Sequence, residues 1–225
     1  MRPELLAIAP ERIKALPVDP VRGFPVPWFV SWVGDDGQRC EPGTGRPEFR
    51  LADREKYVRS IKEKRCWVCG DVLGRRVWFV IGPMCTINRV SADPPAHRDC
   101  AVFSAQACPF LNNPAMERRE DHMPAAGRGG YFGGIGFEHN PGITALYVPM
   151  SFKLINANGG RLFALGEPLE ILWYTCGRLA TPAEVRAGFK IGADRLRAAA
   201  AEQSPAALKE FERAHARALT FVPTA

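Results

Sequence analysis

The sequence predicts an α+β protein in which a zinc-binding finger, a small antiparallel sheet and a carboxy-terminal helical hairpin form one compact unit. Three observations lead to this fold class: Cys and His pairs within 66–100, short β-rich runs between 143 and 174, and two helix starts after 180. The 225 residues, 46% hydrophobic and 24% charged, suffice for one sizeable core. We divide this unit into the segments 1–65, 66–116, 117–180 and 181–225.

Segment 1–65 combines a strand region with a basic helix. The apolar run at 25–33 indicates a strand that begins near Pro27, and Gly-Asp-Asp-Gly at 34–37 favours a hairpin turn after it. A helix is predicted over 52–65, because Asp53 is a good N-cap and apolar residues follow at helical spacing. Its outer face is strongly basic: Arg54, Lys56, Arg59, Lys62, Lys64 and Arg65.

Cys66 and Cys69 provide the first half of a predicted zinc site. Two residues separate them, which is the spacing of a zinc knuckle, a turn that directs two thiolates at one ion. Gly70 follows at once, and its lack of a Cβ relieves crowding at such a tight bend. We therefore predict both cysteines as zinc ligands.

His97 and Cys100 provide the second half of the site. Their three-residue spacing places imidazole and thiolate on one face of a helix. Pro94 and Pro95 predict that this helix begins near Pro95, because proline is tolerated in a first turn but biases the residue before it away from helix. Four protein ligands leave no position for substrate or activated water, so the single zinc ion is predicted to be structural.

Over 65–109, the sequence resembles the treble-clef class of zinc fingers. The knuckle comes first, a connection that contains a strand follows, and the second pair of ligands lies at the start of a helix. The predicted fold is therefore α+β, with a treble-clef-like zinc finger, a small antiparallel sheet and a C-terminal helical hairpin. The string 66–111, with Gly-Pro-Met-Cys at 82–85 and Cys-Pro-Phe-Leu at 108–111, also resembles a family of uncharacterised bacterial and phage proteins. This second resemblance implies no mechanism.

Two further cysteines compete for the zinc ion. Sulfurs that share one zinc lie only about 4 Å apart, whereas Cys108 is about 12 Å beyond Cys100 along a continuous helix. Cys85 is sterically freer and stays the alternative to one proposed ligand. Three thiolates on a divalent ion leave a local charge of about −1. We expect nearby arginines to balance it: Arg65, Arg75, Arg76 or Arg98.

The remaining elements follow from periodicity and turn chemistry. Strands are predicted at 77–81, 143–148, 152–155 and 169–174, and a tight turn at 158–160. The simplest arrangement places the last three strands in one antiparallel sheet. The glycine-rich segment 127–136 lacks a phosphate-binding pattern and favours a surface loop. Capping residues at Thr181 and Ser204, each followed by proline, predict a helical hairpin over 181–225.

Cysteine usage and hydropathy favour an intracellular protein. Seven cysteines exclude a complete set of internal disulfides, and close cysteine pairs in a reducing compartment more often hold metal. No apolar run approaches the roughly 18 residues that cross a bilayer, and the apolar start at 5–9 is too short for a signal peptide. We expect a cytoplasmic protein without membrane contact.

The net charge of +6 and the pI near 9.1 fit DNA or RNA as a partner, although an ordinary basic surface explains them equally well. We predict a zinc-stabilised, nucleic-acid-associated binding protein. Two alternatives stay open: an enzyme with a structural zinc and a separate cleft near His122 and His139, and a protein-interaction module that uses the carboxy-terminal helices. The side chains predicted to contact phosphates are Arg59, Lys62, Arg89, Arg118 and Arg119.

Overall fold

The structure is a computed structural model that describes residues 1–113, 116, 142–157 and 160–224. Several sequence predictions concern residues outside these ranges: the glycine-rich segment 127–136, Arg118, Arg119, His122 and His139.

The described residues mix helix and sheet, which confirms the predicted α+β class at this level. The helices are α1 Pro3–Ile8, α2 Glu11–Lys14, α3 Arg54–Lys62, α4 Pro83–Asn88, α5 Arg98–Ala107, α6 Pro109–Asn112, α7 Pro182–Gln203 and α8 Pro205–Ala218, followed by a 3₁₀ turn at Leu219–Phe221. The strands are β1 Val30–Val33, β2 Arg39–Cys40, β3 Arg46–Ala52, β4 Phe79–Ile81, β5 Val90–Ser91, β6 Thr144–Pro149, β7 Phe152–Ala157, β8 Gly160–Leu165, β9 Pro168–Thr175 and β10 Arg178–Leu179.

The amino-terminal predictions are confirmed with shorter bounds. β1 and β2 form the expected hairpin around 34–37, closed by a hydrogen bond from the Gly34 N–H to the Gln38 carbonyl. The Asp53 side chain caps α3 by accepting from the backbone N–H groups of Glu55 and Lys56. The helix ends at Lys62, because the chain soon enters a left-handed turn that leads into the cysteine-bearing region.

The strands form three antiparallel sheets in the described part of the chain, with the orders β2-β1-β3, β10-β9-β6-β4 and β5-β8-β7. The prediction of one sheet from the strands after residue 142 is wrong. β6 pairs with β9, but β7 pairs with β8 in another sheet. The β6–β7 and β8–β9 turns are joined by hydrogen bonds from Met150 N–H to Glu167 O and from Gly166 N–H to Ser151 O, so the chain changes sheet at this point.

β6 is buried along its whole length and separates two hydrophobic cores. Successive side chains of a strand point to opposite faces, so Tyr147 joins the main core while Leu146 joins the second. The main core includes large side chains from β4, β9, α7 and α8: Phe79, Trp173, Phe189 and Phe211. The second core includes amino-terminal side chains and two predicted zinc ligands: Leu5, Ile13, Cys66 and Cys100.

The predicted carboxy-terminal helical hairpin is present as α7 and α8. Thr181 and Glu184 form a reciprocal capping box at the start of α7, and the Ser204 hydroxyl accepts from the Ala207 N–H at the start of α8. α7 lies close to the rest of the chain at Gly188, where a Cβ atom would be 2.6 Å from the Ile143 side chain. Glycine at this position therefore permits the close approach of α7 to the residue that precedes β6.

His215 of α8 lies in an aromatic stack between Phe189 of α7 and Phe211. The ring centroids are 5.9 Å and 5.5 Å from that of His215, and the rings are nearly parallel. Burial, reinforced by the nearby positive charge of Arg197, lowers the pKa of His215, while Glu212 and Asp194 oppose this shift. The folded protein therefore favours the neutral imidazole.

This stack predicts an acid-sensitive contribution to stability. Because the folded pKa of His215 lies below the unfolded value of about 6.5, the contribution is complete above that pH and is lost as the pH falls below it. His215→Phe keeps a ring in the stack and cannot bind a proton. We expect the free energy of unfolding of the wild type to fall more than that of the variant between about pH 8 and about pH 5. Urea unfolding at both pH values measures this difference, and an equal loss in both proteins contradicts the assignment.

Candidate metal centre

Cys66 and Cys69 lie in a tight hairpin between α3 and β4, which we call the knuckle hairpin (65–72). Arg65 pairs with Val72 in an antiparallel bridge, and the Cys66 N–H donates to the Asp71 carbonyl at 2.7 Å. These backbone contacts hold the two Sγ atoms within 4.8 Å of each other. The local geometry is that expected of a zinc knuckle.

Gly70 is required in the knuckle hairpin for two reasons. Its φ is +81°, in the left-handed region that glycine adopts without strain. A Cβ atom at this position would also lie 2.7 Å from the Trp28 ring, so the ring packs directly on the hairpin. The Gly70 N–H donates to the Cys66 carbonyl at 2.9 Å, and the Gly70 carbonyl accepts from Arg65 Nη1 at 2.8 Å.

His97 and Cys100 come together at the start of α5, although His97 precedes the helix. His97 is the N-cap of α5 and has an extended backbone, while Cys100 is the third helical residue. The predicted helix start near Pro95 is therefore wrong. Ala96 exchanges backbone hydrogen bonds of 2.8 Å and 3.0 Å with Trp78, and this pairing keeps the chain extended before the helix.

The four predicted ligands form one cluster. The Sγ atoms of Cys66, Cys69 and Cys100 and a ring nitrogen of His97 all lie within 4.8 Å of one another. Zinc–sulfur bonds of about 2.3 Å in a tetrahedral site place sulfurs about 4 Å apart, so one ion fits among these atoms. Two of the ligands are buried and two are half-buried. The cluster is a candidate metal centre made entirely of protein donors.

Cys85 and Cys108 are not part of this cluster among the described residues. Cys85 lies in α4, packs against the main core and has its pKa raised to about 11 by burial. Burial also raises the pKa of Cys108, at the end of α5. Their positions outside the cluster, rather than their pKa values, exclude both thiols as ligands of the same ion.

The His97 ring has the orientation of a metal ligand. Its Nδ1 lies 3.4 Å from Sγ of Cys69, and its Nε2 lies 3.1 Å from the Val72 carbonyl. Because a carbonyl only accepts, Nε2 carries the proton and Nδ1 directs its lone pair towards the cluster. The His97 backbone N–H also donates to Cys66 Sγ at 3.4 Å. Such outer hydrogen bonds fix the tautomer and orientation of ligating histidines.

The three thiols share their protons unequally. Hydrogen bonds from the Cys100 and Cys69 thiols favour the Cys66 thiolate and lower the pKa of Cys66 to about 3. The same hydrogen bonds, which hold the proton on Cys100, raise its pKa, and burial and the negative charge of the neighbouring thiolates raise it further. A divalent cation removes this repulsion and allows all three to ionise. Three sulfurs and one imidazole nitrogen fit the donor preferences of structural zinc.

Arg12 of α2 covers the cluster from outside. Its Nη1 lies 3.2 Å and 3.3 Å from the two ring nitrogens of His97, and its Nε donates to Asp99 at 2.9 Å. The same guanidinium approaches Asp71 of the knuckle hairpin at 3.7 Å. Partial burial opposes its charge, but Asp99 and a hydrogen bond to Cys69 outweigh burial and raise the pKa of Arg12. The positively charged Arg12 guanidinium therefore lies beside the cysteine sulfurs.

Arg12 was not predicted as part of the site, because it lies far upstream of the cysteines and belongs to no motif. Of the arginines expected to balance the thiolates, Arg65 hydrogen bonds to the knuckle backbone, and Arg98 lies 5.7 Å from the centre of the Trp78 ring. Arg75 and Arg76 are exposed.

The residues predicted to contact phosphates have different environments. The Arg59 guanidinium donates to Glu63 at 3.0 Å and lies 5.7 Å from the centre of the Trp28 ring. Lys62 is exposed at the end of α3. Arg89 ends α4 in a left-handed conformation and forms an ion pair with Glu167. The other two, Arg118 and Arg119, lie outside the described residues.

Comparisons with protein-family models, curated proteins and solved structures find no match. The resemblance to a bacterial and phage family therefore stays a prediction. Among the described residues, no helix has both the length and the apolar character needed to cross a bilayer.

Arg12→Ala is expected to destabilise the centre and to loosen the amino-terminal helices. α1 and α2 have only six and four residues, too few to be stable alone, so they depend on contacts such as those of Arg12. We expect a loss of about 1 kcal/mol in the free energy of unfolding, since the ion pairs are partly exposed. Urea unfolding, chelator competition and limited proteolysis near the amino terminus measure the effects.

Lys14→Ala is the matched control for Arg12→Ala. Lys14 ends the same helix and pairs with Glu11 within it at 2.7 Å, so its replacement removes one positive charge without touching the cluster. Metal retention and proteolysis should remain as in the wild type. Equal effects of the two substitutions would show that Arg12 acts only through net charge.

Proposed function

We propose that the chain is a zinc-stabilised nucleic-acid-binding protein of the cytoplasm. The cluster of three cysteine sulfurs and one imidazole within 4.8 Å supports the zinc ion. Four protein donors complete a tetrahedral shell and leave no position for substrate or activated water, so the role of the ion is structural. Zinc joins the knuckle hairpin to the start of α5.

The order of the elements supports a treble-clef-like finger. The knuckle hairpin comes first, β4 follows, and the ligand-bearing start of α5 comes last. The bridge between Trp78 and Ala96 connects the two halves. β4 and β5 belong to different sheets, so the finger is continuous with the rest of the fold rather than an independent module.

Charge supports nucleic acid as the partner. The chain carries a net charge of +6, and the stretch 59–76 around the first two ligands has six basic and two acidic residues. A concentration of positive charge attracts polyanions and raises their local concentration. The alternative of an enzymatic cleft depends on His122 and His139, which lie outside the described residues.

The zinc proposal predicts one zinc ion per chain, measured by native mass spectrometry with metal analysis. Cys69→Ser should lose the ion and destabilise the protein by about 3 kcal/mol or more, because metal binding contributes directly to folding free energy. Cys176→Ser, at an exposed position, and Cys85→Ser should both keep the ion. Folded, metal-free protein prepared without chelators would contradict the proposal.

The nucleic-acid proposal predicts binding that weakens as salt rises, because neutralised phosphates release condensed counterions. With about four phosphate contacts, the binding constant should fall about 100-fold between about 50 mM and about 200 mM salt. Fluorescence anisotropy with labelled single- and double-stranded DNA and RNA measures this dependence. Absence of salt-sensitive binding to all four probes at low ionic strength overturns the proposal.

A further inference from the structure

We propose that nucleic acid contacts the chain at a basic surface beside the zinc cluster, formed by Lys62, Lys64, Arg75 and Arg76. We call it the knuckle surface. This inference rests on the proposed function and assigns that function to particular side chains. Two of the four residues, Arg75 and Arg76, were expected from the sequence only as charge partners of the metal.

The knuckle hairpin brings the two ends of this surface together. Lys62 and Lys64 lead into the hairpin, and Arg75 and Arg76 follow it. The Leu73 N–H donates to the Lys64 carbonyl at 2.8 Å, so the strands are in contact at this point. Since consecutive Cα atoms are about 3.8 Å apart, the Cα atoms of Lys64 and Arg75 lie within about 13 Å of each other. About four phosphates of one strand cover this distance along a duplex.

The positive charge of the knuckle surface is not neutralised by neighbouring carboxylates. All four side chains are exposed, and within the described ranges none of them forms an ion pair. Both acidic residues of the stretch 59–76 are bound elsewhere. Glu63 pairs with Arg59 and Arg65, and Asp71 pairs with Arg12.

Three other arginines of the described chain contrast with this surface, because each already has a carboxylate partner. Arg89 pairs with Glu167, Arg178 with Glu184, and Arg197 with Glu212. A phosphate that binds such an arginine must compete with a carboxylate already in place, and the gain in free energy is correspondingly smaller. The knuckle surface is therefore better suited than these pairs to contact phosphates.

Lys64 adds a second, independent observation. Its φ is +53°, in the left-handed region that side-chain-bearing residues adopt at a cost in free energy. Glycine would avoid this cost, yet the position between α3 and the knuckle hairpin carries an exposed lysine. Strained residues of this kind are concentrated at binding sites, where the surrounding structure enforces the conformation.

The zinc cluster supports the knuckle surface by fixing the hairpin that carries it. The cluster closes the hairpin whose register sets the distance between Lys64 and Arg75. With zinc bound, the three thiolates leave a charge of about −1, and Arg12 stands beside them. Arg75 and Arg76 are exposed and form no ion pair within the described residues, so they remain available to a ligand.

The surroundings of the knuckle surface favour nucleic acid over an anionic membrane. A membrane-surface helix exposes a wide apolar face, whereas Tyr57 of α3 is buried and Ile61 packs against the main core. The half-buried Trp28 ring lies on Gly70 beside the Arg59 guanidinium. An aromatic ring among basic groups suits the mixture of bases and phosphates in a nucleic acid.

The double variant Arg75→Ala, Arg76→Ala tests the inference on the full chain. Two lost phosphate contacts should reduce affinity for labelled DNA or RNA about tenfold or more and lower the salt slope by about 1.8. Zinc content and the urea unfolding midpoint should stay at wild-type values, since neither residue is a ligand. The control is Lys209→Ala, Arg213→Ala, which removes the same charge from exposed positions one turn apart on α8.

A second double variant, Lys62→Ala, Lys64→Gly, guards against instability of the first. Glycine at position 64 removes the conformational strain of the left-handed backbone, so we expect this variant to fold. It should lose affinity by a similar factor. If the wild type binds with salt dependence and both variants bind like the control, the knuckle surface is wrong and the proposed function stands. If the wild type does not bind at all, both are wrong. If the two variants lose binding to anionic vesicles but keep wild-type affinity for nucleic acid, the inference is also overturned.

Discussion

Thiolates that are buried side by side repel one another, and this repulsion constrains the whole central region. Cys66 ionises easily because Cys69 and Cys100 donate to it, but the same arrangement raises the pKa of Cys100. A divalent cation bound between the sulfurs would offset this repulsion and bind all three as thiolates. The cluster then joins the knuckle hairpin to the start of α5, across a connection that contains β4, α4 and β5. A metal ion bound at this cluster would replace part of the apolar packing that so short a hairpin cannot supply.

The second hydrophobic core is organised around this junction. Cys66 and Cys100 lie among its buried side chains, together with Leu146 of β6. The short amino-terminal helices add Leu5 and Ile13 to the same core. These apolar contacts position α2 so that Arg12 reaches the cluster. Packing and electrostatics therefore act together. The Arg12 guanidinium lies beside the thiolates, and α2, which carries Arg12, is held in place by the second core.

Interactions close in sequence were predictable, whereas those between distant residues were not. The knuckle spacing, the Asp53 cap and the Thr181 capping box each involve residues within four positions, and all were predicted. The start of α5 was placed too early, because proline preferences are local and the pairing of Ala96 with Trp78 is not. The division of the strands between two sheets depends on turn-to-turn hydrogen bonds that no periodicity reveals. Arg12 was missed for the same reason.

Charge composition illustrates the same limit, because it counts basic residues without showing which of them are neutralised. Arg59 and Arg89 were selected from the sequence for their charge, yet each has a carboxylate partner in the structure. Arg75 and Arg76 were among four arginines expected to balance the thiolates, but it is Arg12 that contacts the cluster, and they remain exposed. The hairpin register then places the Cα atom of Arg75 within about 13 Å of that of Lys64. A polyanion responds to charge that is both exposed and uncompensated, so pairing decides which basic residues are available for binding.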